Sequence, residues 1–473
     1  MLTAQELPPL IQGGMGVAVS SWRLARAVGE CGQLGVVSGT ALDLVLARRL
    51  QDGDSGGHLR RALEQFPDQE MAARVLARYF LEGGRPNGQP YAPITSLTLD
   101  PPRAAQELVV LGGFVEVWLA KEGHEGLVGI NCLEKIQLAT PATLYGAMLA
   151  GVDVVLMGAG VPRAIPELLD TLAHHGPVKF AIEVADSGET QHHLAFTPTD
   201  LIGVPMPALQ RPVFLAIVSA HALATYLARD PQIRPDGFIV EGSGAGGHNA
   251  PPRKRVLDEQ GNLIFGPRDE ADLGKIAETG LPYWIAGGTG SPQMLAAARS
   301  AGARGIQVGT VFALSSDSGL DHAIREYLLA GVSDETLVVR TDPVASPTGF
   351  PFKVVEVPGT MSGSNEYTAR ERLCDLGFLR EPFAKANGDV GYRCAGEPVH
   401  MFVRKGGDTD ETKGRMCLCN GLAASVGMGQ VRKDGYRELP IVTLGSDLTA
   451  PRQLIDTYPG GWTAAQAIDW LIT

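Results

Sequence analysis

The chain has 473 residues, 44% hydrophobic and 19% charged, a globular composition with enough apolar side chains for a sizeable core. Its formal net charge of −12 excludes nucleic acid and an acidic membrane surface as the main partner. Six cysteines in so long a chain exclude a disulfide framework, and the length suits two domains.

The N-terminus, MLTAQELPPLIQ, has neither a basic nor an apolar leader region, so no secretory signal is expected. From there, short apolar runs alternate with amphipathic ones to about residue 330. The predicted strands are Leu10-Gly13, Gly35-Ser38, Val128-Asn131, Val154-Met157, Phe180-Val184, Val213-Val218, Phe238-Glu241, Tyr283-Ala286 and Ile306-Val308. A largely helical insertion is expected over 41–125. The nearly uncharged run Leu144–Val161 is divided by glycines and Asp153, which makes it buried helix plus buried strand rather than a membrane span. A soluble, cytoplasmic protein is the expectation. In SPQMLAAARSAG, Ser291 is the expected N-cap, Pro292 the first helical residue and Gly302 the stop.

Regular strand–helix alternation means a parallel sheet, closed or doubly wound. Glycines and polar residues at the strands' C-terminal edges favour an α/β fold of the TIM-like (β/α)8 barrel type, where sites collect at that rim. Nine strands are one too many for such a barrel. Phe180-Val184 is the expected extra, the start of a hairpin excursion through ADSGETQHHLAFTPTD. His174-His175 and His192-His193 have no partners at metal-ligand spacing and are expected on exposed loops. After about 330 the alternation stops. The tail is expected to form a C-terminal lobe, 331–473, beside a barrel of residues 1–330.

In VEGSGAGGHNAPPRKR, Gly242, Gly244 and Gly247 spell G-x-G-x-x-G after a predicted strand. A dinucleotide fingerprint also needs a helix immediately after, and Pro251 and Pro252 forbid its first turn. Better phosphate candidates are AGGTGSPQM and QVGTVF, two glycine turns after successive strands. The N–H groups of Gly287, Gly288 and Thr289 sit ahead of the capped helix, and Gly309 and Thr310 repeat the device. The run Arg253-Lys254-Arg255 suits either a solvated loop or a phosphorylated ligand such as NAD(P)H.

Together PLIQGGMGVAVS, VEGSGAGGH and IAGGTGS…GIQVGTVF resemble the nitronate monooxygenase (2-nitropropane dioxygenase) family, whose close relatives are FMN-dependent enoyl-acyl-carrier-protein reductases. The match runs from about residue 8 to about 355. It implies an FMN-binding TIM-like barrel, with Gly13, Gly14 and Met15 along the flavin and Asn131 touching it. Glu241, Gly246 and Gly247 would line the cofactor, and Gly287, Gly288, Gln307, Val308, Gly309 and Thr310 would hold its phosphate. His248 is the implied catalytic residue, steadying a nitronate or taking the α-proton of a nitroalkane. Two departures stand out: Gly244 replaces the family's acidic residue, and Glu241 replaces the oxygenases' usual glutamine, as in the enoyl reductases.

The resemblance implies an FMN-dependent oxidoreductase that oxidises alkyl nitronates with O2, as a small-molecule enzyme and possible homo-oligomer. An enoyl-thioester reductase using NAD(P)H and a flavin-binding partner protein without turnover are the alternatives. Four tail cysteines, Cys374, Cys394, Cys417 and Cys419, suit either a metal site for zinc or an iron–sulfur cluster, or buried thiols.

Overall fold

The computed structural model describes residues 2–473. Eight parallel strands form the barrel: β1 (Leu10–Gln12), β2 (Gly35–Ser38), β3 (Val128–Leu133), β4 (Val154–Gly158), β5 (Val213–Val218), β6 (Gly237–Glu241), β7 (Tyr283–Ala286) and β8 (Gly305–Val308). Their order around the sheet is β1-β8-β7-β6-β5-β4-β3-β2. The seam between β1 and β2 is nearly closed. Gln12 N donates to Leu34 O at 3.0 Å, and the Gln12 side-chain Oε1 accepts Val36 N at 3.0 Å. A side chain thus continues the ladder where the two strands begin to part.

Alternation along each strand sorts the core. Ile11, Val36, Val154, Leu156, Leu215, Ile239 and Trp284 fill the barrel interior, while Val37, Val155, Met157 and Phe238 face the surrounding helices. Trp284 is fully buried, and its indole N–H donates to Pro8 O at the barrel floor.

The surplus predicted strand, Phe180-Val184, lies outside the barrel. Residues Val178–Ile182 pair antiparallel with His192–Phe196 in a hairpin between β4 and β5. This corrects the expectation for His192 and His193, which open a strand rather than lie on a loop. His175 follows a helix, and its Nδ1 meets the Tyr145 hydroxyl at 2.8 Å.

Residues 41–125 contain four helices, Leu42–Gln51, His58–Leu63, Gln69–Tyr79 and Arg103–Lys121. The last is itself the β2–β3 crossover and is buried along most of its length. Glycine makes its packing possible: a Cβ on Gly146 would stand 1.9 Å from the Val110 carbonyl oxygen.

The region after 330 has two short antiparallel pairs, Val339–Asp342 with Phe352–Val355 and Glu381–Ala384 with Val390–Arg393. Ala345, Phe352, Val354, Met361, Met416, Leu418 and Ile441 form a small core there. Its end returns to the barrel: Trp462 donates to Val311 O at 2.9 Å, and helix Ala464–Ile472 packs on helix Trp22–Glu30.

The tail is pinned by a buried charge group. Arg370 and Glu438 are almost fully buried and paired at 2.8 Å, with Arg432 adding a second guanidinium at 2.6 Å. Glu438→Ala would leave Arg370 buried without its counter-charge, so a loss of about 3–5 kcal/mol in unfolding free energy is expected from denaturant titration.

Candidate active site

The C-terminal ends of the barrel strands enclose a cavity of about 440 Å3. Every residue the sequence marked for cofactor or catalysis lines it, from Gly13, Gly14 and Met15 through Asn131 and Glu241 to His248 and the two phosphate turns.

The turn after β1 is fixed by Ser20, whose hydroxyl accepts Met15 N at 3.0 Å and donates to Gly13 O at 3.0 Å. A Cβ on Gly14 would lie 2.4 Å from Asn131 Cβ, so only glycine lets these segments meet. Asn131 Nδ2 donates to Gly14 O at 3.3 Å. Its Oδ1 is buried without a partner, as is Gln307 Oε1. Two orphaned acceptors on one cavity wall await donors from a ligand.

After β7, Gly287 and Gly288 adopt φ of +89° and +86°, the left-handed region that glycine tolerates. Ser291 caps helix Pro292–Ser300, its hydroxyl accepting Met294 N at 3.2 Å. Thr289 ties the two turns together, donating toward Ile285 O and Gln307 O at 3.2 Å each. Gly309 has an ordinary φ of −106° and precedes the short helix Thr310–Ala313. Thr310 Oγ1 accepts Gly445 N at 2.9 Å. The glycine-lined cradle, the helix start behind it and the orphaned acceptors fit a flavin.

The loop after β6 becomes no helix. It is clamped instead by the tail. Gly242 N extends the ladder to Ala286 O, Ser446 N donates to Gly244 O at 3.0 Å, and Gly247 N donates to Thr443 Oγ1 at 2.8 Å. Lys353 N donates to Gly247 O, Asn249 N donates to Pro351 O, and His248 bridges Phe352. A Cβ on Gly246 would stand 2.9 Å from the Leu444 carbonyl carbon, and one on Gly244 would be 3.3 Å from Gly287. Gly244 therefore suits a loop squeezed between β7 and the tail.

His248 Nε2 meets Ser346 Oγ at 2.7 Å, and Ser346 Oγ meets Thr348 Oγ1 at 2.8 Å. The ring stands edge-on to Phe352 with centroids 5.0 Å apart. Burial, helped by the nearby Lys135 ammonium, pushes the imidazole down to about 3, so His248 is neutral at working pH. Glu241 is pushed up to about 7 by burial, against the pull of Lys353 and Lys135. Burial lowers both lysines to about 8. Lys353 Nζ donates to Thr341 Oγ1 at 2.6 Å, and Lys135 Nζ donates to Ala159 O at 2.7 Å.

Sequence reasoning missed the tail's part in this site. Ser346, Phe352, Thr443, Gly445 and Asp447 carry no recognisable motif, and neither do Lys135 and Lys353. Ile136, Phe378, Leu379, Leu418 and Leu422 give the cavity an apolar wall. Arg253, Lys254 and Arg255 are exposed, with Arg253 N on the Asp269 carboxylate at 2.8 Å. Among the described residues, no group of three or more His, Cys, Asp or Glu side chains is arranged to hold a metal ion. Nor is any helix among them long and apolar enough to cross a membrane.

Residues 208–345 match the nitronate monooxygenase family model. Over 121 residues the chain is 35% identical to (3aS,4S,5R,7aS)-5-hydroxy-7a-methyl-1-oxo-octahydro-1H-indene-4-carboxyl-CoA dehydrogenase of Mycobacterium tuberculosis. That match spans 25% of this chain and 29% of the relative. Among solved structures, the enoyl reductase domain of MlnA from Bacillus amyloliquefaciens aligns over 98% of this chain and 93% of its own, with TM-score 0.50 and 12% identity. FabK from Thermotoga maritima aligns over 98% and 91%, with TM-score 0.49 and 16% identity. Nitroalkane oxidase from Streptomyces ansochromogenes aligns over 98% and 94%, with TM-score 0.43 and 15% identity. The MlnA likeness is one of fold. The segment 208–345 that matches the nitronate monooxygenase model carries the His248 loop and both glycine turns.

Proposed function

We propose that the chain is an FMN-dependent oxidoreductase that reduces the double bond of an enoyl thioester at the expense of NAD(P)H. The observation that carries this reading is a histidine held neutral beside an apolar wall. An imidazole pushed down to about 3 is a weak base, ill matched to removing the α-proton of a nitroalkane at neutral pH. It remains a good hydrogen-bond donor. In the tautomer in which Nε2 accepts from Ser346, Nδ1 carries the N–H for a substrate oxygen.

FMN, when bound, supplies the hydride chemistry. The chain's own residues do the rest. Gly287, Gly288 and the start of helix Thr310–Ala313 would hold the phosphate, and Asn131 and Gln307 would give their orphaned acceptors to the ring system. The His248 N–H would polarise the thioester carbonyl, while Phe378, Leu379, Leu418 and Leu422 seat the acyl chain and exclude water. The Mycobacterium tuberculosis relative is named as the dehydrogenase of a carboxyl-CoA, a CoA thioester with a saturated ring.

The family match of 208–345 supports a second reading, oxidation of preformed nitronates by O2, for which a neutral donor also suffices. Steady-state assays separate the two. NAD(P)H oxidation that depends on a trans-2-enoyl thioester is expected. Oxygen uptake with propionate 3-nitronate in the absence of NAD(P)H, with no thioester-dependent oxidation, would favour the nitronate reading instead.

A further inference from the structure

A neutral His248 has a problem of proton supply. It carries no spare proton at working pH, so it cannot act as an ordinary acid. If it gave away its one N–H proton, a buried anion would remain unless the other ring nitrogen gained a proton in the same event. The tail loop after strand Val339–Asp342 offers that nitrogen a source.

His248 Nε2 meets Ser346 Oγ at 2.7 Å, and Ser346 Oγ meets Thr348 Oγ1 at 2.8 Å. The Thr348 backbone N–H also donates to Ser346 Oγ, at 3.3 Å. An amide can only donate, so it occupies one of the two lone pairs on that oxygen. One lone pair and one O–H remain for His248 and Thr348. Either Thr348 donates to Ser346 and Ser346 to Nε2, or the whole chain runs in reverse. The hydroxyls therefore reverse together with the ring's tautomer.

The two ends of this chain face different surroundings. Among the described residues only Nε2 of the ring has a partner in the protein, which leaves Nδ1 to the cavity that His248 lines. Ser346 is fully buried, whereas Thr348 is half-buried beside the exposed Gly349. The loop between them is held firmly: Asp342 Oδ1 accepts Val344 N and Ala345 N at 2.8 Å each, and Arg415 donates to Ser346 O at 2.6 Å.

We propose that the Ser346 and Thr348 hydroxyls form a relay that carries a proton between solvent and the cavity face of His248. The proposal rests on the thioester reading. Saturating the double bond takes a hydride, supplied by the flavin, and one proton from solvent water. As charge develops on the thioester oxygen, the Nδ1–H bond breaks and that oxygen gains the proton. Nε2 takes the Ser346 hydroxyl proton, Ser346 takes that of Thr348, and Thr348 takes one from water. When the enol's carbon is protonated by water, the oxygen's proton returns along the same chain and resets it. Neither hydroxyl residue lines the cavity, so both are positioning residues that act through His248.

The test is single-turnover oxidation of the reduced holoenzyme by a trans-2-enoyl thioester in H2O–D2O mixtures. The unaltered chain should show a bowed dependence of rate on deuterium fraction, as several protons move together. Thr348→Val should keep its flavin and its reduction by NAD(P)H, slow the thioester step about tenfold or more, and straighten that dependence. Thr348→Ser should restore both. A Thr348→Val enzyme with unaltered rate and unaltered isotope dependence would overturn the relay. A second readout needs no turnover: in the 15N-histidine-labelled chain, the resting His248 proton should sit on Nδ1, and the Nε2 signal should move in Ser346→Ala. A proton resting on Nε2 would overturn the relay as well. If the unaltered enzyme ignores the thioester, the thioester reading falls and the tautomer measurement alone decides the relay.

Discussion

His248→Ala is expected to keep its flavin and lose at least about a hundredfold in kcat. The proposed phosphate turns belong to β7 and β8, and the orphaned acceptors to Asn131 and Gln307, so none of the proposed cofactor holders is touched. On the proposed reading, what disappears is the N–H that would stabilise charge developing on the substrate oxygen. His248→Gln, which restores an N–H donor of similar reach, should recover part of the loss. Because burial holds the imidazole near 3, the kcat/KM profile of the unaltered enzyme should show no limb at the ordinary histidine value of 6.5. Flavin absorbance per chain and pH-dependent steady-state rates check all three statements. Unchanged turnover at full flavin occupancy would return this loop to a structural role.

Gly287→Val should abolish cofactor binding while leaving the barrel folded. Gly287 sits at φ +89°, and its Cβ would stand 2.7 Å from Gly242 O and 3.0 Å from Ala245 N. The left-handed conformation alone costs a β-branched residue roughly 1–3 kcal/mol. The backbone clash then forces the turn off the phosphate, so flavin affinity should fall more than about a hundredfold. Gly261→Ala is the control: its φ is +84°, but nothing lies within 4 Å of the added carbon. It should cost only the backbone strain and leave cofactor binding intact. Flavin retained on gel filtration by the Gly287 variant would contradict this account.

The barrel was legible because its strands carry local signals. Continuous apolar runs at Val154 and Val213 mark strands buried on both faces, and the Ser291-Pro292 cap marks a helix start. The excess strand was legible from the polar stretch that follows it. The tail's clamp on the His248 loop was not. Lys353, Thr443 and Ser446 act through backbone and hydroxyl bonds to residues about a hundred or two hundred positions upstream, and such pairings have no periodicity of their own. The proline pair after His248 said only that no helix follows. The charge states were equally hidden: Lys135, Glu241 and Lys353 become unusual only once folding removes their water.

The central claim is that this rim passes reducing equivalents from NAD(P)H to an enoyl thioester. An anaerobic spectrophotometric titration tests it most directly. The purified protein should be yellow with about one FMN per chain, bleach on addition of NAD(P)H, and regain its colour under nitrogen when a trans-2-enoyl thioester is added. A bleached enzyme that ignores the thioester and regains colour only when oxygen is admitted would contradict the claim.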